Sequence, residues 1–281
     1  DYDSATFGPV LFDSYLQFYL KENLSLSFSF DNANGPQWST ESLIVIDDKL
    51  YVAINNAYEW GNYKGLIGVV DIPLMNYLTE INLGENGNNP INMINKDNMI
   101  YTLNNKNWDG SSISLINVTD LEPSVQSIDL SDVSAGCGVS VIRDEKFNYQ
   151  KSNESEMYTF NLETLSQDGL EENLEFNYYG VAVDPLSGYL YAAIANFTDN
   201  SGVIIYDQNN NQVNTFFAGV AANQIVFDIR NNDSTSLIEK SNNLSNVKNI
   251  DLLGKMNKIN QGLKIEVSDD GSIKKQLIIK K

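Results

Sequence analysis

The stretch that decides the fold begins Gly180-Val181-Ala182-Val183-Asp184-Pro185-Leu186-Ser187-Gly188 and continues Tyr189-Leu190-Tyr191-Ala192-Ala193-Ile194. After a polar loop come Val203-Ile204-Ile205-Tyr206-Asp207, the run Gln208-Asn209-Asn210-Asn211, and a last strand-like segment over 212–217. Short apolar runs separated by Asp, Pro, Gly, Ser and Asn read as strands joined by turns, so the segment is a four-stranded antiparallel meander. One meander cannot cover its own two faces and has to stack against copies of itself.

The copies are present. Triplets of two largely apolar residues and an Asp or Asn recur at Val69-Val70-Asp71, Leu115-Ile116-Asn117, Thr159-Phe160-Asn161 and Ile205-Tyr206-Asp207, spaced by 46, 44 and 46 residues. The third copy is weaker because it opens with Thr. A period of ~40–50 residues holding four strands is that of propeller blades. Each triplet ends a third strand. First strands are expected over 42–46, 91–95, 139–143, 180–184 and 224–228, and second strands over 49–54, 99–104 and 189–194. Fourth strands are expected over 77–83, 125–130 and 213–217. The copy at 134–176 is degenerate, with 147–149 as its candidate second strand. At the ends, 224–229 reads as a first strand with no blade after it, and 10–12, 15–20 and 24–30 as three strands with no first strand before them. Joined, they make one blade from both ends and close the ring, which removes exposed sheet edges. The expected fold is all-β: a propeller of about five blades over 1–230, with six or seven open if residues are missing, closed by its N- and C-terminal strands. A polar linker over 231–243 and a small β-sandwich-like module over 244–281 follow.

Composition narrows the function. The 281 residues carry a net charge of −19, but 244–281 hold 8 Lys against 4 acidic residues, net +4, which leaves −23 on the rest. Such a body repels nucleic acid and anionic membranes, whose binding requires clustered Lys and Arg. No apolar run approaches the ~18 residues of a membrane span. The chain starts at Asp1 and reads as a mature form whose leader has been removed. The one cysteine, Cys137, excludes an intrachain disulfide, and there is no histidine. His-ligated metal sites and His-activated nucleophiles are therefore excluded, and Cys137 reads as a small buried residue. No catalytic constellation is recognisable, so the chain reads as a non-enzyme that needs no cofactor.

Two resemblances follow from particular residues. Leu50-Tyr51-Val52-Ala53, Val69-Val70-Asp71-Ile72 and the Gly180–Val183 run with Asp184-Pro185 and Gly188-Tyr189-Leu190-Tyr191 resemble the YVTN/surface-layer type of β-propeller, in its cell-surface versions from Bacteroidetes. The tail, Ile250-Asp251-Leu252-Leu253-Gly254-Lys255, Gly262-Leu263-Lys264-Ile265-Glu266-Val267 and Asp270-Gly271-Ser272-Ile273-Lys274-Lys275-Gln276-Leu277-Ile278-Ile279-Lys280, resembles the type A C-terminal sorting domain of the type IX secretion system, without that domain's Pro-Asn-Pro entry motif. This second resemblance implies export across the outer membrane to the cell surface or the medium. It makes Leu252, Leu253, Gly254, Lys255, Gly262, Asp270, Gly271, Lys274, Lys275 and Lys280 the sorting signal. The implied partners of 244–281 are the type IX translocon and an outer-membrane shuttle barrel. An ordinary capping hairpin is the plainer alternative for the same residues, though it gives no reason for the tail's positive charge.

In a propeller, the loops joining second to third strands emerge at the same end as those leading into the next blade. At that end the sequence places Tyr58, Trp60, Trp108, Tyr178, Tyr179 and Phe197, with Trp60 and Trp108 separated by 48 residues, close to one repeat. Aromatic faces and Asn amides together suit a rim that binds surface glycans or proteins. Rings that cover loop backbone or plug the channel mouth are the alternative. Asp31-Asn32-Ala33-Asn34-Gly35 and Asp199-Asn200-Ser201-Gly202 offer oxygens to a structural Ca²⁺, but Asx turns explain them more simply. The expected role is a secreted or cell-surface binding and scaffold protein. A secreted propeller enzyme acting on polysaccharide and a structural component of an adhesion or gliding surface layer are the alternatives.

Overall fold

A computed structural model describes residues 16–227 except 57, 58, 60, 120, 121, 137, 153 and 175, then residue 229 and the segments 248–250, 262–267 and 273–278. The chain divides into two compact units, Asp1–Phe227 and Asp228–Lys281. Among the described residues regular structure is β-strand, apart from two single turns of 3₁₀-helix at Glu85–Gly87 and Lys106–Trp108.

The first unit is built from four-stranded antiparallel meanders. Strands β3 (Ser39–Ile46), β4 (Lys49–Asn55), β5 (Gly65–Asp71) and β6 (Asn76–Asn82) form one sheet in sequence order. The next holds β7 (Pro90–Lys96), β8 (Met99–Asn104), β9 (Ser111–Asn117) and β10 (Ser124–Ser131), and the third β11 (Ser140–Arg143), β12 (Lys146–Tyr149), β13 (Met157–Asn161) and β14 (Ser166–Glu171). The fourth is the deciding stretch itself: β15 (Gly180–Val183), β16 (Leu190–Ile194), β17 (Asn200–Tyr206) and β18 (Gln212–Val220). The copy that the sequence makes weakest is a complete sheet, with β12 over the expected 147–149. Ahead of these four, β1 (Leu16–Tyr19) pairs with β2 (Leu26–Phe30).

Register explains why the apolar runs are nearly continuous. Ile44, Tyr51 and Val69 lie side by side across β3, β4 and β5, and Val45, Leu50 and Val70 form the adjacent row. Side chains of adjacent rows point to opposite faces, so a sheet covered on both sides needs apolar residues in both. Four apolar clusters fill the gaps between successive sheets. Leu16 and Phe30 pack on Leu50, Val52, Ile54 and Val70. Tyr51, Ile67 and Val69 meet Met93, Ile100 and Ile116. Tyr101, Leu103 and Leu115 meet Phe147 and Phe160, and Val141 and Met157 meet Leu190, Ala192 and Tyr206. The first strands β3, β7, β11 and β15 neighbour one another in that order and line one central channel. Sheets stacked face to face around a channel are a β-propeller.

The first strand expected over 224–228 is a correction. The described residues Gln224–Phe227 form no strand. The segment runs instead along the channel wall, where Asn223, Gln224 and Ile225 line the cavity, and Phe227 meets Tyr191 edge-on at 5.1 Å. A strand exists only where a second backbone completes its ladder. Residues 10–12, expected in that closing blade, lie outside the described residues. In the second unit β19 (Lys248–Ile250), β20 (Gly262–Val267) and β21 (Ile273–Ile278) make a three-stranded antiparallel sheet, with Glu266 opposite Lys274.

The gaps between sheets are not uniformly apolar. Between the β3–β6 and β7–β10 sheets, Asn104 Nδ2 donates to Ser112 Oγ (3.0 Å) and Ser114 Oγ (2.9 Å), and Thr102 Oγ1 donates to Asn104 Oδ1 (2.8 Å). Thr159, 2% exposed on β13, has no hydrogen-bond partner for its Oγ1 among the described residues. A buried hydroxyl without a partner costs about 1–3 kcal/mol. Thr159→Val keeps the β-branched shape and removes that cost, so urea denaturation should show stabilisation of about 1 kcal/mol. A loss of stability would mean that the hydroxyl is partnered.

Candidate functional site

The central channel forms a cavity of about 980 Å³, within the usual size of ligand pockets. Its two ends are built differently. At one end lie the tight turns between first and second strands of the first three sheets, with the longer 184–189 connection of the fourth. The tight turns are made by Asp47-Asp48, Asp97-Asn98 and Asp144-Glu145, with Asp47, Asp97 and Asp144 at φ 52°, 54° and 49°. Asp and Asn tolerate this left-handed backbone better than most residues. The two channel-wall cations at this end are engaged. Lys96 pairs with Glu145, and Arg143 donates to Asn210 Oδ1 and the Asp207 carbonyl, tying β11 to the β17–β18 turn. Asn210 Nδ2 in turn donates to Glu171 Oε2 and the Glu172 carbonyl, both at 3.0 Å.

The opposite end carries the longer loops. Trp108 closes the 3₁₀ turn Lys106–Trp108, with its N–H on the Asn105 carbonyl at 2.9 Å, and is 54% exposed. A Cβ on Gly136, which has φ +58°, would stand 2.7 Å from Ser152 Oγ and 3.4 Å from the Trp108 ring, so Ser152 and the backbone keep the residue beside the indole small. Tyr179 lines the cavity and meets Phe197 edge-on at 5.4 Å. Phe197 is exposed, on a loop braced by Asn196 Oδ1, which accepts the N–H groups of Thr198 and Asp199 at 3.0 Å each.

Of the six aromatic residues expected at this rim, the structure brings Trp108, Tyr179 and Phe197 to it. Tyr58 and Trp60 lie outside the described residues, as do Leu252, Leu253, Gly254, Lys255, Asp270, Gly271, Lys280 and Cys137. Gly262, Lys274 and Lys275 fall on β20 and β21. Tyr178 is a correction. It is 1% exposed in the core between the last two sheets, where its hydroxyl meets Tyr206 Oη at 2.8 Å and its N–H donates to Gln150 Oε1 at 2.9 Å. The candidate Ca²⁺ oxygens accept local backbone bonds, as an Asx turn at Asp31 and from the adjacent residue at Asp199. Asp31 Oδ1 accepts from the N–H groups of Ala33 and Asn34, and Asp199 Oδ1 from that of Asn200.

The sequence reading missed Glu41. A β-bulge lies between Thr40 and Leu43, where Glu41 and Ser42 together oppose one residue of β4. A bulge re-aims side chains, and here Glu41 lines the channel at the loop end, beside Asn55. Glu41 is exposed to solvent at the channel, with protein packed beside part of its carboxylate. That packing pushes its pKa up, while the hydrogen bond from Asn55 Nδ2 (3.2 Å) pulls it partly back. Asn55 Nδ2 also reaches the Pro90 carbonyl at 3.3 Å.

No protein-family model matches the sequence, nor does any curated protein. Among solved structures, one chain of the mitotic checkpoint complex matches 94% of this chain and 69% of its own at 9% identity, with a TM-score of 0.52. BBS1N, solved in complex with ARL6DN, matches over 95% and 73% at 12% identity, also with a TM-score of 0.52. BamB from Moraxella catarrhalis aligns over 94% and 76% at 10% identity and a TM-score of 0.44. At these identities the likeness is one of fold. The chain is a β-propeller.

Because the Glu41 carboxyl takes up a proton more readily in the folded protein than in the unfolded chain, ionising it works against folding. That penalty is absent at low pH and sets in as pH rises through the folded-state pKa. Glu41→Gln should therefore raise the thermal midpoint at pH 7, with the gain vanishing on acidification below the ordinary Glu range. A midpoint lowered at pH 7 would show that the ionised group is stabilised rather than strained.

Proposed function

We propose that this chain is a binding and scaffold propeller displayed at the cell surface or released outside the cell. Its ligand surface is the loop end of the channel. The observation that carries this reading is the coincidence of a ligand-sized cavity with Trp108, Tyr179 and Phe197 at one mouth, two of them more than half exposed. Rigid rings offer large contact area at low entropic cost, and convergent polar groups such as Asn55 and Asn223 orient what binds. The mitotic checkpoint complex and the BBS1N–ARL6DN complex are protein assemblies, which agrees with a binding role. If the rim binds, Trp108→Ala with Phe197→Ala should weaken capture on a surface-glycan array or a surface-protein array by tenfold or more, without lowering the thermal midpoint. Undiminished capture of a ligand confirmed for the wild-type chain would rule the rim out as the binding surface.

The second unit serves in this reading as the address. Its basic charge against an acidic body, its self-contained three-stranded sheet and its Asp251-Leu252-Leu253-Gly254-Lys255 run support a type IX sorting signal, read by the translocon and an outer-membrane shuttle barrel. Residues 228–281 fused behind a periplasmic reporter should carry it to the medium or the surface of a bacterium with a type IX system. The reporter should stay in the periplasm when the translocon is deleted. Retention in both strains would defeat the assignment.

A further inference from the structure

We propose that the ligand taken at the loop end of the channel is cationic: a lysine or arginine side chain presented by an extended protein segment, with Glu41 as its counter-ion and Trp108 and Tyr179 as flanking rings. This rests on the reading of that mouth as the ligand surface and names the chemistry it selects.

Three observations point the same way. Glu41 lines the cavity with no cation paired to it among the described residues, its described partner being the neutral amide of Asn55 at 3.2 Å. Near this mouth the described lysines are already engaged: Lys64 lies over Trp38 at 5.1 Å, Lys106 pairs with Asp129 at 2.8 Å, and Lys151 lies over Tyr158 at 3.7 Å. The two cations within the channel wall, Lys96 and Arg143, are tied down at the far end. A partly enclosed carboxylate is therefore left for a charge from outside. Trp and Tyr rings attract ammonium and guanidinium groups over their faces as well as apolar surface. The acidic body, at net −23 outside the tail, raises the local concentration of cations and penalises anions. A neutral sugar would stack on Trp108 and donate hydroxyls to an ionised Glu41, but would leave its negative charge uncompensated. An extended segment fits better than a free amine, because first strands are sheet edges whose outer backbone N–H and C=O groups face the channel, and such groups pair with another backbone.

The test uses the full chain and three blocked Gly-Ser peptides that differ at one central residue: Lys, norleucine or Glu. Binding is read by calorimetry at low and physiological salt. The Lys peptide should bind about tenfold or more tightly than its norleucine twin, with the Glu twin weakest and the preference shrinking as salt rises. Glu41→Gln should abolish the preference for Lys over norleucine, Glu41→Asp should keep part of it, and Trp108→Ala should weaken both peptides. Circular dichroism and melting confirm that each variant is folded. Equal binding of Lys and norleucine peptides, or a preference untouched by Glu41→Gln, overturns the cationic ligand while Trp108 sensitivity leaves the rim standing. Binding of a neutral glycan that depends on Trp108, with none of the Lys peptide, overturns the cationic ligand in the same way. Indifference to both Glu41→Gln and Trp108→Ala overturns the rim reading as well.

Discussion

Face-to-face burial of whole sheets is the constraint from which the rest of this molecule follows. A four-stranded meander with both faces apolar is insoluble alone and stable only between two others. The rows Tyr51–Val69 and Leu50–Val70 show the consequence, because neighbouring residues of one strand are buried against different sheets. Each buried branched or aromatic side chain contributes about 1.5–3 kcal/mol, so slipping a strand by one residue would exchange the two faces and unmake two interfaces at once. Register is thereby fixed from both sides, and the channel is what remains where the first strands meet.

Polar residues inside these gaps are tolerated in proportion to how well they are paired. Asn104 anchors a cluster in which Ser114 also meets Ser127, and Ser127 donates to the Leu83 carbonyl, linking successive sheets by hydrogen bonds as well as by apolar contact. Between the last two sheets the tie is Arg143, buried along its length and held by Asn210 and the Asp207 carbonyl. Its charge is compensated at the turn end by carbonyl and amide oxygens rather than by a close carboxylate, the nearest described ion pair being with Asp144 at 4.0 Å. Nη1 and Nη2 are satisfied there while the buried Nε finds no hydrogen-bond partner among the described residues, so Arg143 depends on those two bonds, and they make the β17–β18 turn part of the core of its neighbour.

The repeat was legible because its physical cause is repeated: every third strand is buried on both sides and ends at a turn that wants Asp or Asn. Even the weak copy folds, since Phe147, Tyr149 and Phe160 supply the buried rings while Thr159 spoils only the triplet. Tyr178 and Tyr179 look alike in sequence, but consecutive residues on an extended chain point opposite ways; one goes to Tyr206 in the core and the other to Phe197 at the rim. Glu41 was hidden for a different reason. The bulge adds a residue just ahead of the continuous apolar run 43–46 without interrupting it, so nothing in the pattern marks the carboxylate as facing the channel. The segment 224–227 is a β-prone, largely apolar run yet has no ladder, and a ladder is decided by a second piece of chain.

In the first three sheets the difference between the two ends of the channel follows from loop length, whereas in the fourth the β15–β16 connection over 184–189 is as long as the loop opposite it. The turns joining first to second strands at Asp47-Asp48, Asp97-Asn98 and Asp144-Glu145 are two residues long, so their side chains reach only the adjacent sheet and end up bracing it, as Glu145 does with Lys96. Loops at the other end have residues to spare beyond what connection requires. There the chain can fold a 3₁₀ turn under Trp108, lay that ring over Gly136, and hold Phe197 against Tyr179 without disturbing the sheets beneath. Side chains at that end are not needed for bracing and stay exposed, as Trp108 and Phe197 do. The same stacking that fixes the core therefore decides which end of the channel is structural and which is open to chemistry.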